Sequence, residues 1–416
     1  MSAADVSIVH PLDPAAPGLG GFDTCINDFI RYAPQSWTLE VIGVTSSPEQ
    51  RPVGRASQVD VGGRLISFTP ATADPEPDKV RPIPLSLRFV MACRGRRLRP
   101  AGRIEQLHRF ESVFAHRAAG RRRALFLHND PFELVSQASE IRWRGLSRLY
   151  WAALGKAVGR SDALFVVHPD SQQSLGSRFP ASRNKIRRLP VWADPQVFRP
   201  APDPSSDPGD RLRQQFGLPQ GCRLLVYAGR FAAQKNLGLL LATLAVCRQR
   251  QLDCALLLIG KGPQEPRLRR QIEEMALGGF VRLVPTVERQ TLADIYRGCD
   301  LAVCSSHYEA GPRQVLEALA CGTPVASTAV GQVPEILAAF PAAGELAADP
   351  SPESLARAIQ QVLEGGDPSV RRRQCLAAAA AYHPASVLAS VYQLYQNWLD
   401  ERPNEGEAPD EAEPKR

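Results

Sequence analysis

The sequence has no run of 18 or more apolar residues, so a membrane-spanning helix is not expected. Residues 1–11 offer no basic segment leading into an apolar stretch, so a signal peptide is not expected either. The nine cysteines are odd in number and form no Cys-X-X-Cys pair, which speaks against a disulfide framework or a zinc site. Most lie in apolar stretches such as Asp300-Leu-Ala-Val-Cys304, as buried thiols of a cytoplasmic protein would. No internal repeat of 20–50 residues is present. Aromatic residues are only 7% of the chain, but 44% of its 416 residues are hydrophobic. Cores for two or three domains can be filled, and wholesale disorder is excluded.

The net charge of +7 is unevenly spread. Residues 1–200 hold 28 Lys and Arg against 18 Asp and Glu, whereas residues 201–416 hold 22 against 25. Twelve arginines and only two acids, Glu105 and Glu111, fall within residues 81–123. Such a cluster attracts anionic lipid surfaces, lipid-linked phosphates or nucleic acid, or else forms a solvated face of an arginine-rich chain.

Apolar runs alternate with helix-like patterns along most of the length, the rhythm of βαβ units and a parallel sheet. In the first half the expected strands are Val6-Ser-Ile-Val-His10, Leu39-Glu-Val-Ile-Gly43, Ser112-Val-Phe-Ala115, Ala124-Leu-Phe-Leu-His128 and Ala163-Leu-Phe-Val-Val167. In the second half they are Arg223-Leu-Leu-Val-Tyr-Ala228, Ala255-Leu-Leu-Leu-Ile259, Val281-Arg-Leu-Val284 and Leu301-Ala-Val-Cys304. The Pro-rich stretch 199–212 between them reads as a linker. The expected organisation is α/β, with two doubly wound domains, residues 1–198 and 213–382, facing across a cleft. Residues 383–400 read as an amphipathic helix, and residues 401–416, with six acids and three prolines, as a disordered tail.

Two constellations carry chemistry. After Cys304 a loop bears Glu309 and Gly311, then Pro312 opens a helix that Gly322 closes. The helix start at Pro312 to Gln314 presents the free backbone N–H groups of Arg313 and Gln314 as an anion site, and Glu317 lies about 7.5 Å further along the axis. Carboxylates there suit sugar diols; two ordinary helix-region glutamates are the plainer reading. In the second constellation the strand ending at Ala228 runs into Gly229-Arg230, with Lys235 and Asn236 before the next helix. That sets a guanidinium and an ammonium at the carboxyl end of a parallel strand, where such sheets bind ligands, with Asn236 as helix N-cap. Together the two make a diphosphate clamp flanked by sugar and ribose binders.

In order along the chain, Gly229-Arg230 with Lys235, Gly260-Lys-Gly262-Pro263, Glu309 and Glu317, and Cys321-Gly-Thr-Pro-Val325 resemble the retaining GT-B glycosyltransferases of family 4, the glycosyl transferases group 1. The resemblance is strongest over residues 223–337. It implies that Arg230 and Lys235 hold the donor diphosphate and stabilise the leaving group, that Glu309 meets donor-sugar hydroxyls at the reacting face, and that Glu317 binds the ribose. It puts Gly260 and Gly262 near the nucleotide, although a plain strand-to-helix turn accounts for them equally well. A histidine at a strand end facing the donor sugar is also implied; His128 fits, with His116 the rival. The glycine-rich Pro17-Gly18-Leu19-Gly20-Gly21 is a phosphate or acceptor loop, or a simple turn. It is not a dinucleotide fingerprint, because Asp23 occupies the position of the third glycine.

The resemblance implies a nucleotide-sugar donor, a glycan or lipid-linked acceptor and a role in cell-envelope or exopolysaccharide synthesis. The arginine-rich segment suits peripheral contact with the inner membrane face, and no nucleic acid partner is expected. Asp-X-Asp is absent, so metal-independent transfer without a cofactor is expected, through a front-face mechanism. A catalytically silent GT-B scaffold that binds a nucleotide sugar or glycan is the alternative. The chain departs from the family pattern in two places: Val191-Trp192-Ala193-Asp194 closes the first domain, and Ala310 follows Glu309.

Overall fold

A computed structural model of the chain describes residues 4–16, 21–76, 81–116, 120–134, 147–201 and 208–401. Eight strands form the first sheet: β1 (Val6–Val9), β2 (Leu39–Thr45), β3 (Ser57–Asp60), β4 (Leu65–Ala73), β5 (Ile104–Leu107), β6 (Arg122–Leu127), β7 (Ala163–Val166) and β8 (Ile186–Arg188). Their order is β3-β4-β2-β1-β5-β6-β7-β8, parallel except for the antiparallel β3–β4 edge. The second sheet holds β9 (Arg223–Ala228), β10 (Cys254–Ile259), β11 (Val281–Val284), β12 (Leu301–Cys304), β13 (Val325–Ser327) and β14 (Gly344–Leu346). It is wholly parallel, in the order β11-β10-β9-β12-β13-β14.

The central strands are apolar throughout because helices cover both of their faces. The two-residue period of a strand divides β9 between two cores. Leu224, Val226 and Ala228 pack into one, Leu225 and Tyr227 into the other. In both sheets the chain order reverses at an inner strand, β1 in the first and β9 in the second. A parallel sheet opens its ligand crevice at the carboxyl end of such a strand.

One expected strand is displaced. Phe110–Phe114 is a 3-10 helix, and the strand is β5, whose Glu105 and Gln106 mask its period. Both are buried because both are partnered. Glu105 binds Arg123 Nε and lies 3.2 Å from His116 Nδ1, and the Gln106 amide meets Tyr395 and His108. The expected linker is also shorter at its far end: the helix Pro208–Gln215 starts inside it, and residues 202–207 lie outside the described residues. Of the expected acidic tail, only Glu401 is described.

The helix Pro384–Asp400 lies against the first sheet, with Leu388, Val391, Tyr395 and Trp398 in one core with Phe29, Val41 and Phe126. Arg103 fastens its end by donating to the carbonyls of Leu399 (2.6 Å) and Glu401 (2.9 Å). By length and composition alone, Pro368–Asp400 is long and apolar enough to cross a membrane. It is interrupted at Tyr382 and His383, between the helices Pro368–Ala381 and Pro384–Asp400.

Candidate active site

A cavity of about 1250 Å³ lies at the carboxyl ends of the two sheets, lined by Phe22, His128 and Trp192 from one and Arg230, Lys235 and Glu309 from the other. On the second domain the walls are the segments that follow β9, β10, β11 and β12.

The first two of these loops interlock backbone to backbone. A Cβ on Gly260 would stand 2.0 Å from the Gly229 carbonyl oxygen, and one on Gly262 2.4 Å from that of Phe231. Phe231 N donates to Lys261 O (2.9 Å), and Gln264 N donates to Phe231 O (3.0 Å). Close loop packing therefore accounts for the glycines, and Gly229, Gly260 and Gly262 all line the cavity as a result. Arg230 is exposed on this wall and makes no side-chain bond or ion pair among the described residues.

Lys235 lines the same cavity and is already paired. Its ammonium donates to Glu309 Oε1, which also accepts from Ser306 Oγ at 2.8 Å. The residues read as a phosphate ligand and a sugar ligand are each other's partners. Ser305 Oγ donates to Lys235 O (3.0 Å) and His307 N to Gln234 O (2.9 Å), holding the two loops together. Asn236 occupies the N-cap position, but its side chain makes no capping bond. Its backbone is left-handed (φ 48°), a conformation asparagine tolerates better than most residues.

The helix Arg313–Ala320 starts one residue later than expected, with Pro312 as its extended N-cap. Gly311 meets the other domain: a Cβ there would be 2.6 Å from a Val191 methyl and 2.7 Å from one of Val167. Arg313, expected on the donor, borders the cavity but reaches across to the first domain. Its Nη2 is 3.5 Å from Asp28 Oδ2, and its guanidinium carbon is 5.7 Å from the Trp192 ring centroid. Trp192 Nε1 donates to Asp28 (2.8 Å), while Asp194 receives Arg31 (2.8 Å) and Arg289 (3.3 Å). Glu317 lines the cavity beside this network, 4.0 Å from Arg313 Nε. Burial raises its carboxyl above the usual range, opposed by Arg313 and Arg289.

On the first domain, His128 borders the cavity and His116 does not. His116 sits against Glu105 and Arg123, in the amino-terminal halves of β5 and β6, away from the cleft. Two further histidines escaped the sequence reading. His10 follows β1 and His108 follows β5, so three adjacent strands each deliver a histidine at the carboxyl end. The His108 and His128 rings lie nearly parallel, with planes 13° apart and centroids 5.0 Å apart, and His10 lies edge-on to His108 at 5.8 Å. Burial, then Arg313 and Arg109, lowers His128 to about 3; His10 and His108 are also lowered, chiefly by burial. Gly21 begins the helix Gly21–Tyr32 at the cavity edge, whereas Gly18 and Gly20 lie outside the described residues. No group of three or more His, Cys, Asp or Glu among the described residues is arranged to hold a metal ion.

The arginine-rich segment is not one continuous patch. Arg81 and Arg88 pair with Asp74, Arg122 with Asp162 and Glu401, and Arg123 with Glu105; Arg103 and Arg121 bind carbonyls. Arg94, Arg96, Arg97 and Arg99 remain exposed without an ion pair among the described residues. They cluster at the end of the helix Leu85–Gly95, which also exposes Leu87 and Met91, with Ile83 just before it.

This arrangement of two parallel-sheet domains is the GT-B fold. The chain superposes on sucrose-phosphate synthase from Thermosynechococcus elongatus with a TM-score of 0.72 at 20% identity, covering 95% of this chain and 99% of that one. For WaaG, a glycosyltransferase of lipopolysaccharide biosynthesis, the TM-score is 0.68 at 15% identity, covering 94% and 99%. For Anabaena HepE in complex with UDP-glucose it is 0.66 at 16% identity, covering 94% and 99%. Residues 209–380, which hold the second sheet and its cavity loops, match the sequence model of glycosyl transferases group 1. The D-inositol 3-phosphate glycosyltransferase of Xylanimonas cellulosilytica is 31% identical over 180 residues, 42% of each chain. That of Mycolicibacterium smegmatis is 31% identical over 189 residues, 44% of this chain and 41% of its own. The match spans less than half the length of either relative.

Proposed function

We propose that the chain is a retaining glycosyltransferase of family 4, moving a sugar from a nucleotide-diphosphate sugar to a glycan or lipid-linked acceptor. One observation carries this reading: Arg230, the Lys235–Glu309 pair, Glu317 and the amino end of the helix Arg313–Ala320 converge on a single cavity that faces His128. The match of residues 209–380 to glycosyl transferases group 1 covers the same loops.

As the glycosidic bond breaks, negative charge grows on the leaving phosphate. Arg230, with no competing partner, and the helix amino end meet that charge. A diphosphate that draws Lys235 to itself frees the Glu309 carboxylate for sugar hydroxyls. Basic groups supply the neutralisation, so transfer is proposed to need no metal. The leaving phosphate takes the acceptor proton on the same face; a covalent glycosyl adduct trapped on Glu309 would contradict that route. The donor class agrees with the ligand named for HepE, UDP-glucose. The exposed Ile83, Leu87 and Met91 beside Arg94, Arg96, Arg97 and Arg99 support peripheral attachment to an anionic membrane from the cytoplasmic side, in cell-envelope or exopolysaccharide synthesis.

The test is a thermal-shift panel of UDP, GDP, ADP and their sugar conjugates. A true donor at 100 times its dissociation constant adds about 2.7 kcal/mol of stability. If none of them raises the melting temperature, the reading fails.

A further inference from the structure

Three polar residues behind His128 decide which of its nitrogens carries the proton. Tyr395, on the helix Pro384–Asp400, is fully buried, and its hydroxyl donates to Gln106 Oε1 at 2.9 Å. Among the described residues that oxygen is the only acceptor the hydroxyl has. Were the amide turned over, the hydroxyl proton would be buried with no acceptor, so Gln106 is held with its NH2 toward His108. That NH2 lies 2.9 Å from His108 Nε2 and can only donate, so Nε2 accepts. A neutral His108 then carries its proton on Nδ1, which lies 2.7 Å from His128 Nε2. His128 Nε2 is thereby the acceptor, and a neutral His128 is protonated on Nδ1. Nδ1 has no partner among the described residues and is not buried, on a ring that borders the cavity.

We propose that Tyr395, Gln106 and His108 are positioning residues that fix the His128 proton on Nδ1, so that His128 meets the bound sugar as a hydrogen-bond donor and not as a base. The inference rests on the cavity being a sugar-transfer site, and it adds a role for the carboxy-terminal helix. Burial and neighbouring positive charge keep the chain of bonds neutral. Burial and the facing guanidinium groups of Arg109 and Arg313 oppose a proton on His128, and His10 opposes one on His108. The tautomer, once set, persists across the pH range 6 to 8 in which both rings are neutral. His128 thus offers an N–H to a sugar hydroxyl oxygen or a developing negative charge.

The test uses the full chain labelled with 15N-histidine, with two-bond 1H–15N correlations that distinguish the tautomers of each ring. In the unsubstituted protein, His108 and His128 should both be neutral with the proton on Nδ1 between pH 6 and 8. Gln106→Leu removes the donor to His108 Nε2, and the second tautomer should then appear on both rings. Tyr395→Phe keeps the ring and its packing but frees the amide to turn over, with the same expected result and a modestly lowered melting temperature, because the buried amide loses one partner. In both variants kcat for transfer should fall on the order of tenfold with KM for the donor nearly unchanged, by analogy with partners that orient a ligating histidine. A proton on Nε2 of either ring in the unsubstituted protein overturns the relay, as does an Nδ1 pattern that survives both substitutions. If the tautomers behave as stated but no nucleotide sugar is turned over, the relay stands and the proposed function falls.

Discussion

Arg230 and Lys235 are five residues apart on one loop, yet the structure gives them different surroundings. Arg230 is exposed and unpaired among the described residues, so it stabilises nothing in the empty protein and is free to meet an anion. Lys235 and Glu309 are held together, with 20% and 9% of their side chains exposed. Arg230→Ala should leave the melting temperature unchanged while lowering kcat by about 10² to 10³, the usual effect of removing one group that stabilises developing charge. Lys235→Ala should instead destabilise the protein by about 1–3 kcal/mol, because among the described residues Glu309 then keeps only Ser306. Parallel melting curves and single-turnover rates check both. At this scale the motifs were legible as residue types in order, but not their pairing. Spacing puts an ammonium and a carboxylate near one ligand; it does not say that they bind each other when the ligand is absent. The contact of Arg313 with Asp28 was out of reach for a related reason, since Asp28 lies 285 positions earlier in the sequence.

In the second domain β9 to β12 were legible because they are apolar runs bounded by helix-like patterns, whereas the three-residue β13 and β14 were too short to read. The first domain hid β5, whose middle residues are Glu105 and Gln106, and without β5 His108 could not be seen to end a strand. The signal that picked out His128, a histidine just past an apolar strand, also applies to His10 after Val9. These three strand ends have a thermodynamic consequence. His10, His108 and His128 are held neutral in the fold, with pKa values below the 6.5 of an ordinary histidine. Between 6.5 and those lowered values the unfolded chain binds more protons than the folded one, so stability must fall as pH falls. Each histidine contributes a slope approaching about 1.4 kcal/mol per pH unit in that window. Denaturant titrations at pH 7.5, 6.5 and 5.5 should give stability that changes little across the first interval and declines across the second. The decline should be smaller in His10→Asn; equal stability at all three values would contradict the assignment.

At the scale of the molecule, two sheets face each other and are tied by polar contacts as well as apolar ones. Arg313 and Asp28, Arg289 and Asp194, and Arg188 and Glu335 span the joint, and Val191 N donates to Gln332 Oε1 at 3.1 Å. The same scale corrects the reading of charge. Composition located the basic segment, but folding commits much of it to Asp74, Asp162, Glu105 and backbone carbonyls. Among the described residues only Arg94, Arg96, Arg97 and Arg99 are left exposed as a compact group, next to Leu87 and Met91. Replacing those four by glutamine should abolish sedimentation with phosphatidylglycerol vesicles at about 0.1 M salt, each lost charge removing about 1 kcal/mol of attraction. Unchanged sedimentation would remove the membrane from the account.

The central claim is that a nucleotide diphosphate sits on the loops after β9 and β12 and leaves from there. Its most direct measurement is nucleoside diphosphate release from the donor that the thermal-shift panel selects, compared between the unsubstituted protein and Arg230→Ala combined with Lys235→Ala. The account predicts steady release from the first and a loss of at least about 10³ in the second. Equal release from both proteins would contradict it.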